Sequence, residues 1–213
     1  MEDYMKIPAK CNPGILLRVI PGHFVTANSH INYFVDMSLM KARQSEARLI
    51  AKAISSHYFS STVVDTILCV DGCDVIGAYL ADYLSEAGIL SMNSHKTIYI
   101  TTPEFSITGQ FLFRENMRPM IKDKHVLVLL ASATTAKTLS AAINTIQYYG
   151  GRVAGISAIF SATEKVNDYP IHALFTPADL TDYQYYPHNN CPFCQAGKPI
   201  DALVNGFGYE RIN

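Results

Sequence analysis

Charge is scarce in this chain of 213 residues. Lysine, arginine, aspartate and glutamate make up 16% of it and nearly cancel, leaving a net charge of −1. No basic stripe is present to attract nucleic acid and no polybasic run to attract a membrane surface, so neither partner is expected. No apolar run approaches the roughly 20 residues that a membrane-spanning helix needs. The opening residues MEDYMKIPAKCNPG lack the apolar stretch of a secretory signal, and a soluble cytoplasmic protein is the expectation. Internal repeats and low-complexity segments are missing. The five cysteines are odd in number and irregular in spacing, which argues against a disulfide framework. What remains is a chain with 49% hydrophobic residues, long enough for one domain with a substantial core.

Five apolar stretches read as buried strands: DTILCV (65–70), KTIYI (96–100), HVLVLLA (125–131), RVAGISAIF (152–160) and IHALF (171–175). Three segments between them read as helices. Residues 41–57 carry Ala42, Leu49, Ile50 and Ala53 on one face. Residues 75–88 stop on Gly88, and residues 136–151 close on two glycines. Residues 103–122 have no clean period and read as a long loop or a hairpin. This alternation predicts an α/β fold, a mainly parallel sheet flanked by helices. The core spans about 39–176 of a single domain, 1–213. The segments at about 1–38 and 177–213 pack on it as a cap. Ligands of such sheets sit beyond the carboxyl ends of the strands, so the turns after the first three core strands matter most.

The turn after strand 125–131 is rich in hydroxyls. Ser132, Thr134, Thr135 and Thr138 surround a helix start, where free N–H groups and the helix dipole favour an anion, and Lys137 adds a cation. A phosphate monoester fits there. A plain helix cap would need only one hydroxyl. The turn VDGCDVIGAYLA (70–81) offers Asp71, Gly72 and Cys73, where Gly72 would let a ligand approach the backbone; an ordinary turn capped by Asp74 is the alternative. Cys69 reads as a small core residue. The pair in CPFC, Cys191 and Cys194, is half of a zinc site, with Cys11, His188 or His172 as candidate further ligands. It reads more simply as free thiols in a turn made by Pro192, and no metal set is assigned. His23 and His30, seven apart in HFVTANSHINYF, are either a metal pair or hydrogen-bonded residues of the cap.

Taken in order, these pieces resemble the type I phosphoribosyltransferase family, and within it the orotate phosphoribosyltransferases. VLVLLASATTAKTL aligns without gaps on the family's ribose-phosphate turn, V-x-V-D-D-x-x-T-T-G-G-T-L. PGHFVTANSHINYFVD (21–36) is similar to the N-terminal GHF segment, IQYYGGRVAGISAIF to the helix-Gly-strand that follows the turn, and HNNCPFCQAGKPI to a C-terminal CPLC tail. The resemblance implies that Ser132, Ala133, Thr134, Thr135, Ala136, Lys137 and Thr138 wrap the 5-phosphate of phosphoribosyl pyrophosphate (PRPP). It also implies that Asp71, Gly72 and Cys73 hold the pyrophosphate, with Mg²⁺ accompanying PRPP if the protein is catalytic. It implies further that residues 103–122 close over the site, that residues 21–36 line the base pocket, and that the chain forms a homodimer.

The motif is degenerate. The family's paired acids, which hold the ribose hydroxyls, fall on Leu130 and Ala131, and the two glycines of the turn on Ala136 and Lys137. Arg-Lys-Glu at the base of the loop becomes Thr102-Pro103-Glu104, and an Asp-Arg pair becomes Ser161-Ala162. Arg114, Arg118, Lys122 and Lys124 are the nearby cations that could replace those lost. Asp71, Asp74 and Glu104 are the nearby acids. The expectation is therefore a PRPP or nucleotide 5′-phosphate binder. Its alternatives are a transferase, a non-catalytic sensor and a structural dimer module.

Overall fold

The computed structural model describes residues 4–86, 90–94, 97–106, 110–134, 136–205 and 208–212. The chain opens with β1 (Met5–Ala9), β2 (Asn12–Val25) and β3 (His30–Asp36), followed by α1 (Ser38–Ala42) and α2 (Gln44–Ser55). Then come β4 (Thr66–Cys69), α3 (Asp74–Glu86), β5 (Tyr99–Thr101) and the short strands β6 (Glu104–Phe105) and β7 (Phe111–Leu112). A 3-10 turn at Glu115–Met120 leads to β8 (His125–Ala133), α4 (Lys137–Tyr148), β9 (Arg152–Ser161), β10 (Lys165–Val166) and β11 (Tyr169–Phe175). The tail supplies β12 (Tyr185–Tyr186), α5 (Pro192–Gln195), β13 (Ala202–Asn205) and β14 (Gly208–Arg211).

Two sheets result. The core sheet runs β10-β11-β9-β8-β4-β5, with every neighbour parallel except the terminal pair β10 and β11. Its strands are continuous apolar runs because helices cover both faces. Alternation divides β8 between those faces: Leu127, Leu129 and Ala131 pack with the side of α2 and α3, while Val126, Val128 and Leu130 pack under α4. The second sheet is the cap. It joins β2 and β3 from the start of the chain to β12, β13 and β14 from its end, with β1 paired on β2. A bidentate pair between Arg18 on β2 and Glu46 on α2, both contacts 2.9 Å, fastens cap to core.

Residues 103–122 contain a hairpin, since β6 and β7 pair antiparallel, and Arg114 closes on Glu104 across it at 2.7 Å. The single helix expected at 41–57 is two. The backbone of Arg43 is extended (φ −85°, ψ 116°), and this break resets the phase of α2. Its buried face is therefore Ala47, Ile50, Ala51 and Ile54, and Leu49 and Ala42 are exposed. The expected helix stop Gly88 lies outside the described residues. Among the described residues, no helix is long and apolar enough to cross a membrane.

Candidate functional site

β8 delivers its last residues to the carboxyl edge of the core sheet, and α4 begins three residues later. Between them, Ser132, Thr134 and Thr138 open onto one cavity of about 260 Å³. Ala136, which has no side-chain hydrogen-bonding group, stands at the cap position of α4. Ser132, Thr134 and Thr138 stand outside the cap position itself. The hydroxyl of Thr134 bonds that of Tyr183, whose own pKa burial pushes up to about 12. Thr135 lies outside the described residues. Ala133 is buried in the core, and Lys137 is exposed in the first turn of α4; neither lines the cavity, nor does Ala136.

The turn after β4 reaches the same cavity through Asp71. Asp71 and Gly72 both take left-handed backbone conformations, with φ 58° and 75°. Aspartate tolerates that region better than most residues, and glycine enters it freely. Burial raises the pKa of the Asp71 carboxyl; Lys41 and the Ser132 N–H pull it back only in part. The ammonium of Lys41 donates to the Asp71 carbonyl at 2.8 Å. It is the cation at this turn, and sequence reading missed it because α1, thirty residues upstream, reaches the turn through its packing against α2 and α3. Cys73 turns inward; its side chain is buried, and burial together with Asp71 pushes the thiol well above the ordinary range.

The two positions of the missing acids point in opposite directions. Leu130 is fully buried beneath α4. Ala131 faces an annex of about 50 Å³ that also touches Lys41, Asp71 and Ser132. The cations named as replacements are engaged elsewhere: Arg114 with Glu104, Arg118 with Glu115 at 2.8 Å, and Lys124 over the ring of Tyr99. Lys122 packs beside Gly150. Of the three nearby acids, only Asp71 lines the cavity. Asp74 accepts the hydroxyl of Thr102, and Glu104 is paired in the hairpin.

The cap forms the facing wall. Its hairpin tip, Thr26–Ser29, lines the cavity, with Ile31 and Phe34 behind it and Val204 and Asn205 from the tail beside it. The hydroxyl of Thr26 accepts the N–H groups of Asn28 and Ser29 and donates to the Ser29 carbonyl, which folds the tip. Phe160 contributes a second aromatic surface. Hydroxyls from both walls, Ser132, Thr134 and Thr138 on the core and Thr26 and Ser29 on the cap, thus share the cavity with apolar side chains, a lining suited to a small ligand with polar groups.

Beneath that tip the structure joins two features that the sequence presents separately. The side chains of His23, His30, Cys191 and Cys194 meet, with one ligand atom of each within 4.8 Å of the others. The further partners named for the thiols are not among them. Cys11 is exposed, His172 stacks on His57, and His188 sets its ring edge-on to His30 while reaching the Ala27 carbonyl. Burial holds the His30 ring below the ordinary histidine range.

This arrangement of parallel sheet, terminal cap and hydroxyl turn is the type I phosphoribosyltransferase fold. Solved structures of that fold match the chain at low identity. The orotate phosphoribosyltransferase of Mycobacterium tuberculosis H37Rv, in complex with PRPP, matches with a TM-score of 0.51 and 16% identity over 68% of this chain and 82% of its own. A phosphoribosyltransferase from Corynebacterium diphtheriae matches with a TM-score of 0.54 and 14% identity, covering 76% of this chain and 90% of its own. The adenine phosphoribosyltransferase of Leishmania tarentolae matches with a TM-score of 0.51 and 14% identity, covering 71% and 80%. No family model matches the sequence, and no curated protein does. Orotate and adenine enzymes both share the fold, so it does not select a base.

Proposed function

We propose that the protein binds the 5′-phosphate of a phosphoribosyl compound, PRPP or a mononucleotide, at Ser132–Thr138, with the base or its vacancy under the cap. One observation carries this reading: Ser132, Thr134 and Thr138 line a single cavity at the start of a twelve-residue helix whose N-cap position is an alanine. Phosphate seating by N–H groups and hydroxyls does not need the missing acids. Transition-state stabilisation does. Losing one such group costs about 3–4 kcal/mol, or more than a hundredfold in rate. Binding without efficient transfer, as in a sensor of PRPP or nucleotide level, is therefore the reading favoured here. On this reading the chain is one domain in the cytoplasm, by its length and composition, and a homodimer, as the resemblance implies.

Phosphoribosyl transfer is the second reading, and Asp71 favours it, because its carboxyl lines the cavity beside the turn. One carboxylate together with a pyrophosphate is a donor set that Mg²⁺ accepts, and Asp71 would hold it. Calorimetry with PRPP, orotidylate, other mononucleotides and inorganic phosphate tests the binding. Heat with PRPP or a mononucleotide supports the site, and none with any of them leaves the structural dimer module. Orotate consumption with PRPP and Mg²⁺ separates transferase from sensor. Light scattering after size exclusion tests the dimer.

A further inference from the structure

The wall of the cavity is hung from a cluster of two imidazoles and two thiols. We propose that His23, His30, Cys191 and Cys194 bind a structural zinc ion that staples the N-terminal hairpin to the C-terminal tail. This site is independent of the phosphate reading.

Its geometry is nearly that of an assembled site. Nε2 of His23 and Nδ1 of His30 lie 2.8 Å apart. The Cys191 sulfur is 3.5 Å from Nε2 of His23. The Cys194 sulfur is 3.7 Å from the same atom and 3.5 Å from Nδ1 of His30. With Zn–N of about 2.05 Å and Zn–S of about 2.3 Å, a tetrahedral ion separates its ligand atoms by about 3.3–3.8 Å. The three nitrogen–sulfur distances already fall in that span, the two nitrogens need to part by about half an ångström, and the Cys191 sulfur lies within 4.8 Å of the other two ligand atoms.

The protonation of His23 is fixed by its surroundings. Its Nδ1 faces the carbonyl oxygens of Lys198 and Pro199 at 3.1 and 3.0 Å. Carbonyls only accept, so Nδ1 carries the proton and the Nε2 lone pair points into the cluster. A ring held this way by a carbonyl is the support that zinc-binding histidines have. Two nitrogens and two sulfurs suit zinc among the common divalent ions, and four protein ligands leave no open position, as in structural rather than catalytic sites. On binding, Zn²⁺ displaces the two thiol protons to solvent, and the pair of thiolates neutralises its charge.

The local folds aim these side chains. Between Pro21 and Phe24 the pairing of β2 with β3 shifts by one residue, so Gly22 and His23 together oppose Asn32. Such a bulge re-aims a side chain, and here His23 and its neighbour Phe24 are both buried, against strand alternation. A Cβ on Gly22 would lie 2.6 Å from the Phe24 ring and 2.8 Å from Asp201, the residue whose carboxylate accepts the His23 N–H. Cys191 caps α5 and Cys194 lies three residues on, which puts both sulfurs on one side of a single turn. The ring of Phe193, 5.3 Å from that of His23, covers the cluster.

The test is metal content. Protein expressed with zinc and purified under reductant without chelator is expected to hold close to one zinc per chain by plasma mass spectrometry, and Cys194→Ser to lose at least nine-tenths of it. Cys194 is exposed, and serine is close to it in shape, so this variant folds. Cobalt added to chelator-stripped wild type is expected to give the visible bands of a tetrahedral, thiolate-bound ion. Wild-type protein that takes up no zinc when reduced and titrated with Zn²⁺ would overturn the proposal. So would retention of zinc by Cys194→Ser, or a Cys191–Cys194 disulfide in protein kept reduced.

Discussion

The two sheets are held by different physics. In the core sheet, consecutive strand and helix units lie side by side, and Val126 to Leu130 of β8 are all fully buried. Each such side chain contributes about 1.5–3 kcal/mol by leaving water. The cap sheet pairs strands from opposite ends of the chain around a small apolar cluster, Phe24, Ile31, Phe34 and Ala202. Ile15, Leu17 and Val19 of β2 also pack into the core cluster against α2, and polar contacts add to this: Arg18 to Glu46, Lys10 to Asp179, the His23 N–H to Asp201, and the His/Cys cluster. The core carries the hydroxyl turn and the cap carries the wall opposite. The polar ties and the His/Cys cluster lie on the cap, so the cap is the half that metal and charge should reach first.

The sharpest way to break that comparison lies within β8 itself. Leu130→Asp puts a carboxylate into the packed face under α4 and is expected to cost about 5 kcal/mol, enough to unfold the core in a denaturant titration. Ala131→Asp faces the annex beside Lys41 and is expected to cost about 1–2 kcal/mol and to strengthen Mg²⁺-dependent PRPP binding. Equal destabilisation by the two would contradict the assignment of faces. Next in size is metal removal. A chelator should strip hydrogen-exchange protection from β2, β3, β12 and β13 and leave β4, β8 and β9 protected, because only the cap is stapled. Uniform loss would mean that the sheets unfold as one.

Glu46→Ala removes a bidentate, mostly buried partner of Arg18 and is expected to cost about 2 kcal/mol, read as a lower urea midpoint. The smallest effects concern pH. Burial alone would raise Asp65 and Asp179. The N–H and ring of His125 outweigh it at Asp65, as Lys10 and Thr176 do at Asp179, and both are held below the ordinary carboxylate range. Their contribution is complete above that range and is lost as pH falls through their folded values. Asp71 has the opposite sign, because its folded pKa is raised. Its contribution is present below the ordinary carboxylate value and is lost as pH rises. Asp71→Asn, which keeps a side chain tolerant of left-handed backbone, should therefore raise the melting temperature at neutral pH while weakening Mg²⁺-dependent PRPP binding.

The core was legible because its information is local. Runs such as VLVLL declare a buried parallel strand, and the hydroxyls of SATT beside an apolar helix declare the turn. The face of α2 was misplaced because nothing in KARQSEARL announces the extended backbone at Arg43 that resets the phase. Lys41 and the wall at Thr26–Ser29 were hidden for a different reason: both reach the turn through tertiary packing, Lys41 from α1 and the wall from the cap, and such contacts have no sequence period. The His/Cys cluster lies between. Each half was visible as a spacing, His23 with His30 and Cys191 with Cys194. The antiparallel pairing of β12 on β3 at His30 and the parallel pairing of β13 on β2 bring them together. The bulge at Gly22 that aims His23 is marked in the sequence by Pro-Gly alone.

The central claim is that the turn after β8 holds a 5′-phosphate without the acids that would grip the ribose. Calorimetric titration of PRPP into wild type and into the double variant Thr134→Val/Thr138→Val tests it most directly. The account predicts saturable binding by wild type and at least a tenfold weaker affinity in the variant, with the circular dichroism of the two unchanged. Equal affinity in the two proteins, or no binding of PRPP and mononucleotides by wild type, would contradict it.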